Sequence, residues 1–396
     1  MAFLGLHKLA CDRVGTSADV EQLLINNSYQ YIFVDILVEL SLSEVQLKKA
    51  GVVNILYSPS QSVIQEIVKQ IQSESLESET KDNNFTRINI EDFFVEHVAA
   101  LDFHLRIGTN KYIKIVNMGE STPTEQIKKY AENGTQHLYF LNKHRSGFVS
   151  TQNEVTHKLL EREVIDGEKI LKSLKVTTDK YIDEIYTKGI RPELIQEGKN
   201  LCHNVWNFVQ KEKSLQKILS DLETFNPEAY SHSFMVCFFS TIICKNLSWA
   251  GNKTMEALAL GAMFHDIGLL YIDEEVVRKD FDTYTEGELT IFKLHPRKGL
   301  ESLSGVPGIN DSIQQIILQH HETSNGSGFP SGLTSNNIFP LAKIVGLADS
   351  FADFLVNRGV SPLAGLKEFL GQRDNSLKYD ADLVKNLVNG FTKIDR

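Results

Sequence analysis

The residues of this chain best suited to chemistry are the histidines of its C-terminal part. Twelve histidines occur in 396 residues, and those after residue 203 are His232, His265, His295, His320 and His321. His265-Asp266 stands in the run MFHDIGLL, and two more carboxylates, Glu228 and Asp349, flank the set. Neutral imidazole is the commonest transition-metal ligand in proteins, and carboxylates commonly complete such sites. A lone buried histidine is more often structural than ligating. Five histidines gathered in this way, with acids among them, point to a metal centre.

The elements around these residues must bring them together. Glu228 and His232 are four apart in PEAYSHSF, which puts both on one face of a helix. His265 and Asp266 diverge by about 100° on a helix, yet both reach one cluster if that helix passes alongside it. His295 lies in KLHPRKG, and His320, His321 and Glu322 end the run SIQQIILQ, just before the Gly-rich turn NGSGFPSG. Asp349 lies in the helix-like run KIVGLADSF. Clusters of this kind are built from side chains on facing helices. A mainly α domain over 226–396 is expected, with a loop-rich stretch near 322–340. Glu322 either orients a ligand histidine or caps the turn that follows.

The runs HS (232–233), HDIG (265–268), YTEGE (284–288), HP followed by Gly299, HHE (320–322), NGSGFPSGL (325–333), PLAKI (340–344) and ADSF (348–351) then gain a common meaning. In their order and spacing, 226–396 resembles the HD-GYP domain, a branch of the HD superfamily of metal-dependent phosphohydrolases. The resemblance implies a binuclear or trinuclear centre of iron or manganese. It implies hydrolysis of cyclic di-GMP to linear pGpG, and in some members on to GMP, through a metal-bridging hydroxide. Carried across, the metal ligands are His232, His265, Asp266, His295, His320, His321 and Asp349, with Asp266 the carboxylate expected to bridge two ions. Glu228 stands where trinuclear members keep a glutamate. Substrate contacts fall on Gly328 and Phe329 of the loop, Lys343 in PLAKI, and Arg358.

The departures matter as much. Leu269 follows HDIG where the family has a phosphate-binding lysine, Phe329 replaces the tyrosine of GYP, and Ser361 stands where a second lysine is usual. The family's second acid after Asp349 is displaced by one, to Asp353. A missing cation–phosphate contact costs about 1.5–3 kcal/mol, roughly tenfold to a hundredfold in rate or affinity. Two functions therefore stand side by side. One is a metal-dependent cyclic dinucleotide phosphodiesterase regulated by N-terminal modules. The other is a catalytically weak or inactive relative that senses a cyclic dinucleotide or serves as a protein-interaction scaffold. An unrelated HD phosphohydrolase of nucleotides is disfavoured, because NGSGFPSG follows HHE in the family's order.

The rest of the chain reads as regulatory. Residues 1–75 alternate helical and apolar strand-like runs, suggesting a small α/β layer with a weak resemblance to a receiver domain. Ser58 precedes Pro59 where a receiver usually has lysine, and no acidic pair accompanies Asp35, so phosphorylation is not expected. SESLESETKDNN (73–84) is a polar linker. Residues 85–150 read as a small α+β module, with half-buried strands in FTRINIEDFF and LDFHLRIGTNKYIKIV, a turn at Gly108-Thr109-Asn110, a helix in TPTEQIKKYAENG and a strand in HLYFLN. Residues 151–225 read as a helical linker, NEVTHKLLEREVIDGEKILKSL, DKYIDEIYTKG and PELIQEGKNLCHNVWNFVQKEKSLQKILSDLETF, broken at Gly189 and Pro192. These helices could form a homodimer contact or pack within one chain; sequence leaves both open.

Composition bounds the partners. A net charge of −10 argues against binding nucleic-acid polymers, while a cyclic dinucleotide and signalling proteins remain the expected partners. The cysteines, Cys11, Cys202, Cys237 and Cys244, form no CxxC pair and read as buried thiols of a reducing compartment. No apolar run is long enough to cross a membrane, and MAFLGLHKLACDRVG is a poor secretory signal. A cytoplasmic protein is expected.

Overall fold

The computed structural model describes residues 31–34, 54–57 and 84–392, except 91–92, 94–98, 100, 109–110, 121–123, 213–231, 246, 278, 280–282 and 373–374. The chain divides into two compact units, Met1–Asn83 and Asn84–Arg396. In the first, the apolar runs form strands β1 (Tyr31–Val34) and β2 (Asn54–Tyr57), paired in parallel from Tyr31 opposite Asn54 to Val34 opposite Tyr57. The helical runs expected around them, Asp35, Ser58-Pro59 and the 73–83 part of the linker lie outside the described residues.

The second unit begins with an antiparallel sheet of β3 (Phe85–Asn89), β4 (Phe103–Gly108), β5 (Lys111–Val116) and β6 (His137–Leu141), in the order β3-β6-β4-β5. Alternation sends Ile88, Phe103, Leu138 and Phe140 to one face, where Ile127 of α1 (Thr124–Glu132) joins their core. Phe148 and Val176, from the following helices, complete that cluster. These helices are α2 (Arg145–Glu161), α3 (Gly167–Lys188) and α4 (Pro192–Lys211).

The helix boundaries differ from the sequence reading at two points. The run NEVTHKLLEREVIDGEKILKSL is broken, and α3 continues through VTTD. Asp166 caps α3 by accepting from the Lys169 amide at 3.2 Å, while Val164 in the break is 84% exposed. Thr177 and Thr178 stay inside α3 because their hydroxyls donate to the carbonyls of Ser173 and Leu174, one turn back.

The C-terminal part is all helical around α5 (His232–Lys245), which is buried from Ser233 to Cys244. A helix without a polar face belongs at the centre of a bundle. Cys237 and Cys244 lie on it as buried free thiols, as does Cys202 on α4. It is followed by α6 (Asn252–Phe264), α7 (Glu286–Phe292), α8 (His295–Leu303), α9 (Asp311–Gln319), α10 (Pro340–Arg358), α11 (Pro362–Gly371) and α12 (Ala381–Thr392), of which α6, α10 and α12 pack directly against it. Phe239 of α5 meets Phe351 of α10 at 4.9 Å and Phe391 of α12 at 6.4 Å between ring centroids. No described helix is long and apolar enough to cross a membrane.

Two glycines set how closely the site-bearing segments approach. A Cβ on Gly268 would lie 1.9 Å from the His295 carbonyl oxygen, so the 3-10 turn Ile267–Tyr271 sits flush on α8 only with glycine there. A Cβ on Gly346 would lie 2.3 Å from the His320 carbonyl oxygen, so α10 crosses the end of α9 at backbone contact.

Candidate metal centre

The candidate ligands stand mostly at helix ends. His232 and His295 open α5 and α8, and His265 and His320 cap the C-termini of α6 and α9. Asp266 and His321 come next in the chain, and Asp349 lies midway along α10. His265, His295, His320 and Asp349 are buried.

Backbone anchors fix three of the imidazoles. Nδ1 of His265 lies 2.7 Å from the Ala262 carbonyl, Nδ1 of His295 lies 2.8 Å from that of Phe292, and Nδ1 of His320 lies 2.8 Å from that of Ile317. A carbonyl oxygen only accepts, so each Nδ1 carries the proton and each neutral ring offers its Nε2 lone pair. His232 repeats the pattern with a carboxylate, its Nδ1 lying 3.3 Å from Asp353 Oδ1. This is how ligand histidines are commonly oriented.

The Nε2 atoms then face one another. His232 and His265 approach at 3.1 Å and His295 and His320 at 3.3 Å, Nε2 to Nε2. Two lone pairs at that distance repel unless a cation lies between or beside them. Asp266 adds a negative charge beside both pairs, which strengthens the demand for a cation. Its Oδ2 is 3.3 Å from His265 Nε2 and 3.8 Å from His232 Nε2, while its Oδ1 is 3.3 Å from His295 Nε2 and 3.8 Å from His320 Nε2. Asp349 Oδ1 lies 3.0 Å from His232 Nε2, and its Oδ2 is 3.5 Å from His321 Nδ1. The donors form two groups, His232/His265/Asp349 and Asp266/His295/His320/His321, each with ligand atoms within 4.8 Å of one another. Nε2 of His321 is buried and lacks a hydrogen-bond partner among the described residues. Facing lone pairs, an orphaned imidazole nitrogen and a carboxylate between the groups fit transition-metal cations.

The protonation energetics agree. Burial penalises charge on His265, but Asp266 and Asp349 overcome it and hold the imidazole well above its usual range. Burial also works against the Asp266 carboxylate, yet the charge of His265, with the rings of His295 and His320 beside it, keeps it well below the usual range. A field that favours a proton there equally favours a metal cation. His320 and His321 shift the other way, lowered chiefly by burial, which keeps their lone pairs free.

Glu228 lies outside the described residues. Phe329 packs 4.5 Å from the His321 ring and 6.1 Å from that of His295, so the loop after HHE lines the cluster. Gly328 lies against the His321 and Glu322 backbone, with no room for a Cβ. Glu322 caps the turn, its two oxygens each accepting at 2.7 Å from the Ser331 and Leu333 amides. Lys343 is held by Asp380 at 2.8 Å and Ser335 at 3.1 Å. Arg358, the last residue of α10, lies over the Phe354 ring at 5.8 Å. Ser361 is the N-cap of α11.

Two residues at the site, Lys293 and Tyr186, escaped the sequence reading, and a third, Asp353, stands there only as a displaced acid. Asp353 supports His232, and its signal was its place one helical turn after Asp349. Lys293, two residues before His295, stands over Phe329. Tyr186 of α3 is 44% exposed, and partial burial followed by the charge of Asp266 pushes its phenol up to about 12. Nothing in the local sequence of α3 marks it.

Comparison with known proteins fits this geometry. Residues 214–383 match the HD domain family. The chain is 26% identical over 165 residues to the cyclic di-GMP phosphodiesterase PdeB of Borreliella burgdorferi, covering 41% of this chain and 42% of that protein. It is 38% identical over 149 residues to the cyclic di-GMP phosphodiesterase response regulator RpfG of Xanthomonas campestris, covering 36% and 39%. The chain thus spans about two fifths of the length of these curated relatives. A solved HDG"Y"P protein from Bdellovibrio bacteriovorus superimposes with a TM-score of 0.57 at 19% identity, over 76% of this chain and 98% of that one, and so shares the fold.

Proposed function

We propose that this chain, whose residues 214–383 belong to the HD-GYP branch of the HD family, is a metal-dependent phosphodiesterase of a cyclic dinucleotide. The observation that carries the proposal is Asp266, whose two oxygens face separate pairs of imidazole nitrogens. That is the geometry of a carboxylate joining two cations. We assign His232, His265 and Asp349 to one cation, His295, His320 and His321 to the other, and Asp266 to both. Glu228 is the candidate ligand of a third. Iron or manganese suits the donor set. Cations held there would supply polarisation of phosphoryl oxygens and activation of a water.

The chain's own residues do the rest. The carbonyls of Ala262, Phe292 and Ile317, with Asp353, hold the imidazoles so that Nε2 faces inward. Glu322 fixes the loop that brings Phe329 over His321. An aromatic face there suits a nucleobase or a ribose edge. The N-terminal sheet and α2–α4 are proposed to carry regulatory input, with linear pGpG as the product.

A second reading, a sensor or scaffold that binds without turnover, is favoured by one observation. Lys343 is engaged by Asp380 and Ser335, so one of the two cations named from sequence is already paired. The deciding experiment incubates iron- or manganese-loaded full chain with cyclic di-GMP and 3'3'-cGAMP and follows products by chromatography. Linear dinucleotide supports the phosphodiesterase. Nucleotide retained without product supports the sensor, and neither binding nor product refutes both.

A further inference from the structure

Leu269 offers no charge to a phosphate, so a cyclic dinucleotide held over Asp266 needs a cation from elsewhere in the chain. We propose that Lys293 is that phosphate-binding cation, an inference that rests on the cyclic dinucleotide reading above.

The placement of Lys293 follows from its neighbours. Thr285 and Glu288 form a reciprocal capping box that fixes the start of α7. At the other end, the Phe292 ring packs 4.9 Å from the His295 ring and 6.5 Å from that of His321. Lys293 is the next residue, the C-cap of α7, so its backbone is fixed beside two candidate ligands. Its Nζ lies 5.6 Å from the centroid of Phe329, the ring that packs on His321. Phe292 at its root and Phe329 at its tip therefore both touch imidazoles of the cluster.

The ammonium is also chemically available. Among the described residues, no hydrogen bond or ion pair engages it. The Phe329 face attracts the charge but satisfies none of its three N–H donors in the way a phosphate oxygen would. Two other cations near these elements are already paired. Lys279 pairs with Glu288 and Lys343 with Asp380. Arg358 lies nine residues past Asp349, about 13 Å along the helix axis. Replacement of the family's tyrosine by Phe329 fits the same picture, since a bare ring carries the lysine stem and leaves the phosphate to the ammonium.

The test measures dissociation constants of metal-loaded full chain for a phosphorothioate analogue of cyclic di-GMP, at two ionic strengths, with metal content determined on the same samples. Lys293→Met keeps the apolar stem and removes the charge. It is expected to raise Kd roughly tenfold to a hundredfold, to flatten the salt dependence and to leave metal content unchanged. Lys293→Arg is expected to stay close to wild type. Unchanged affinity and salt dependence in Lys293→Met overturn the proposal. So does weaker binding explained by metal loss, which would place Lys293 in support of the ligands. A wild type that binds no cyclic dinucleotide overturns the functional reading together with it, whereas a binding wild type and an indistinguishable Lys293→Met overturn the inference alone.

Discussion

Substituting Gly268 by alanine tests whether backbone contact sets the spacing of the metal centre. The added Cβ would lie 1.9 Å from the His295 carbonyl oxygen and 2.6 Å from the Gly299 nitrogen. Carbon and oxygen rarely approach within about 3.3 Å, so the turn after Asp266 and α8 must part by more than about 1 Å. Both neighbours are backbone, so no side chain can swing aside. Overpacking of this kind costs about 1–3 kcal/mol, and a rigid backbone clash belongs at the upper end. For a domain of this size each kcal/mol lowers Tm by about 2–4 °C, which gives a drop of about 6–12 °C. The same displacement pulls His295 Nε2 away from Asp266 Oδ1, now 3.3 Å apart, and metal affinity should fall with it. Thermal denaturation and metal analysis read both effects. Gly287→Ala is the control, because nothing lies within 4 Å of its added Cβ. There the lower backbone entropy of the unfolded chain should stabilise by about 0.4–1 kcal/mol. A Gly268→Ala protein that melts like wild type and keeps its full metal complement would refute the reasoning.

Other perturbations address the supports of the site. Asp353→Ala should weaken metal binding about tenfold, the lower end for an outer partner of a ligand histidine, since Asp353 is 59% exposed; unchanged metal affinity in equilibrium dialysis would show that His232 needs no such anchor. Glu322→Ala should speed hydrogen exchange at the Ser331 and Leu333 amides, whose acceptors it removes; unchanged exchange would mean the loop holds its shape without the carboxylate. Glu184 is fully buried and takes charge from Lys188, Arg191 and Arg145, while Arg145 also donates to Thr86 of β3 at 3.0 Å. Glu184→Gln should destabilise by about 3 kcal/mol, read by urea denaturation, and an unshifted midpoint would remove this cluster as the clasp between sheet and helix.

How far the site could be read from sequence follows from which interactions are local. His232, His265, Asp266, His295, His320, His321 and Asp349 were visible as residue types in a family order, and the structure brings all seven together. The helical character of the C-terminal part followed from its apolar periodicity, and the sheet from its alternation. What stayed hidden depends on tertiary approach. Glycine at 268 and 346 reads as permissive in sequence; only the crossing of α8 and α10 over neighbouring backbone makes it obligatory. Asp353 looked like a misplaced acid until α5 and α10 set His232 against it. Lys343 looked free for substrate, but Asp380, 37 residues later, takes its charge. The break at 162–166 was missed because an Asp-Gly cap lacks the emphasis of a proline.

The central claim is that Asp266 joins two cation positions. Metal content per chain, measured for wild type and Asp266→Asn after anaerobic reconstitution with iron(II) or manganese(II), tests it directly. Wild type should hold at least two equivalents, and Asp266→Asn should lose one or both while remaining folded by circular dichroism. A wild type that holds one equivalent or none, or an Asp266→Asn protein with the wild-type complement, would contradict it.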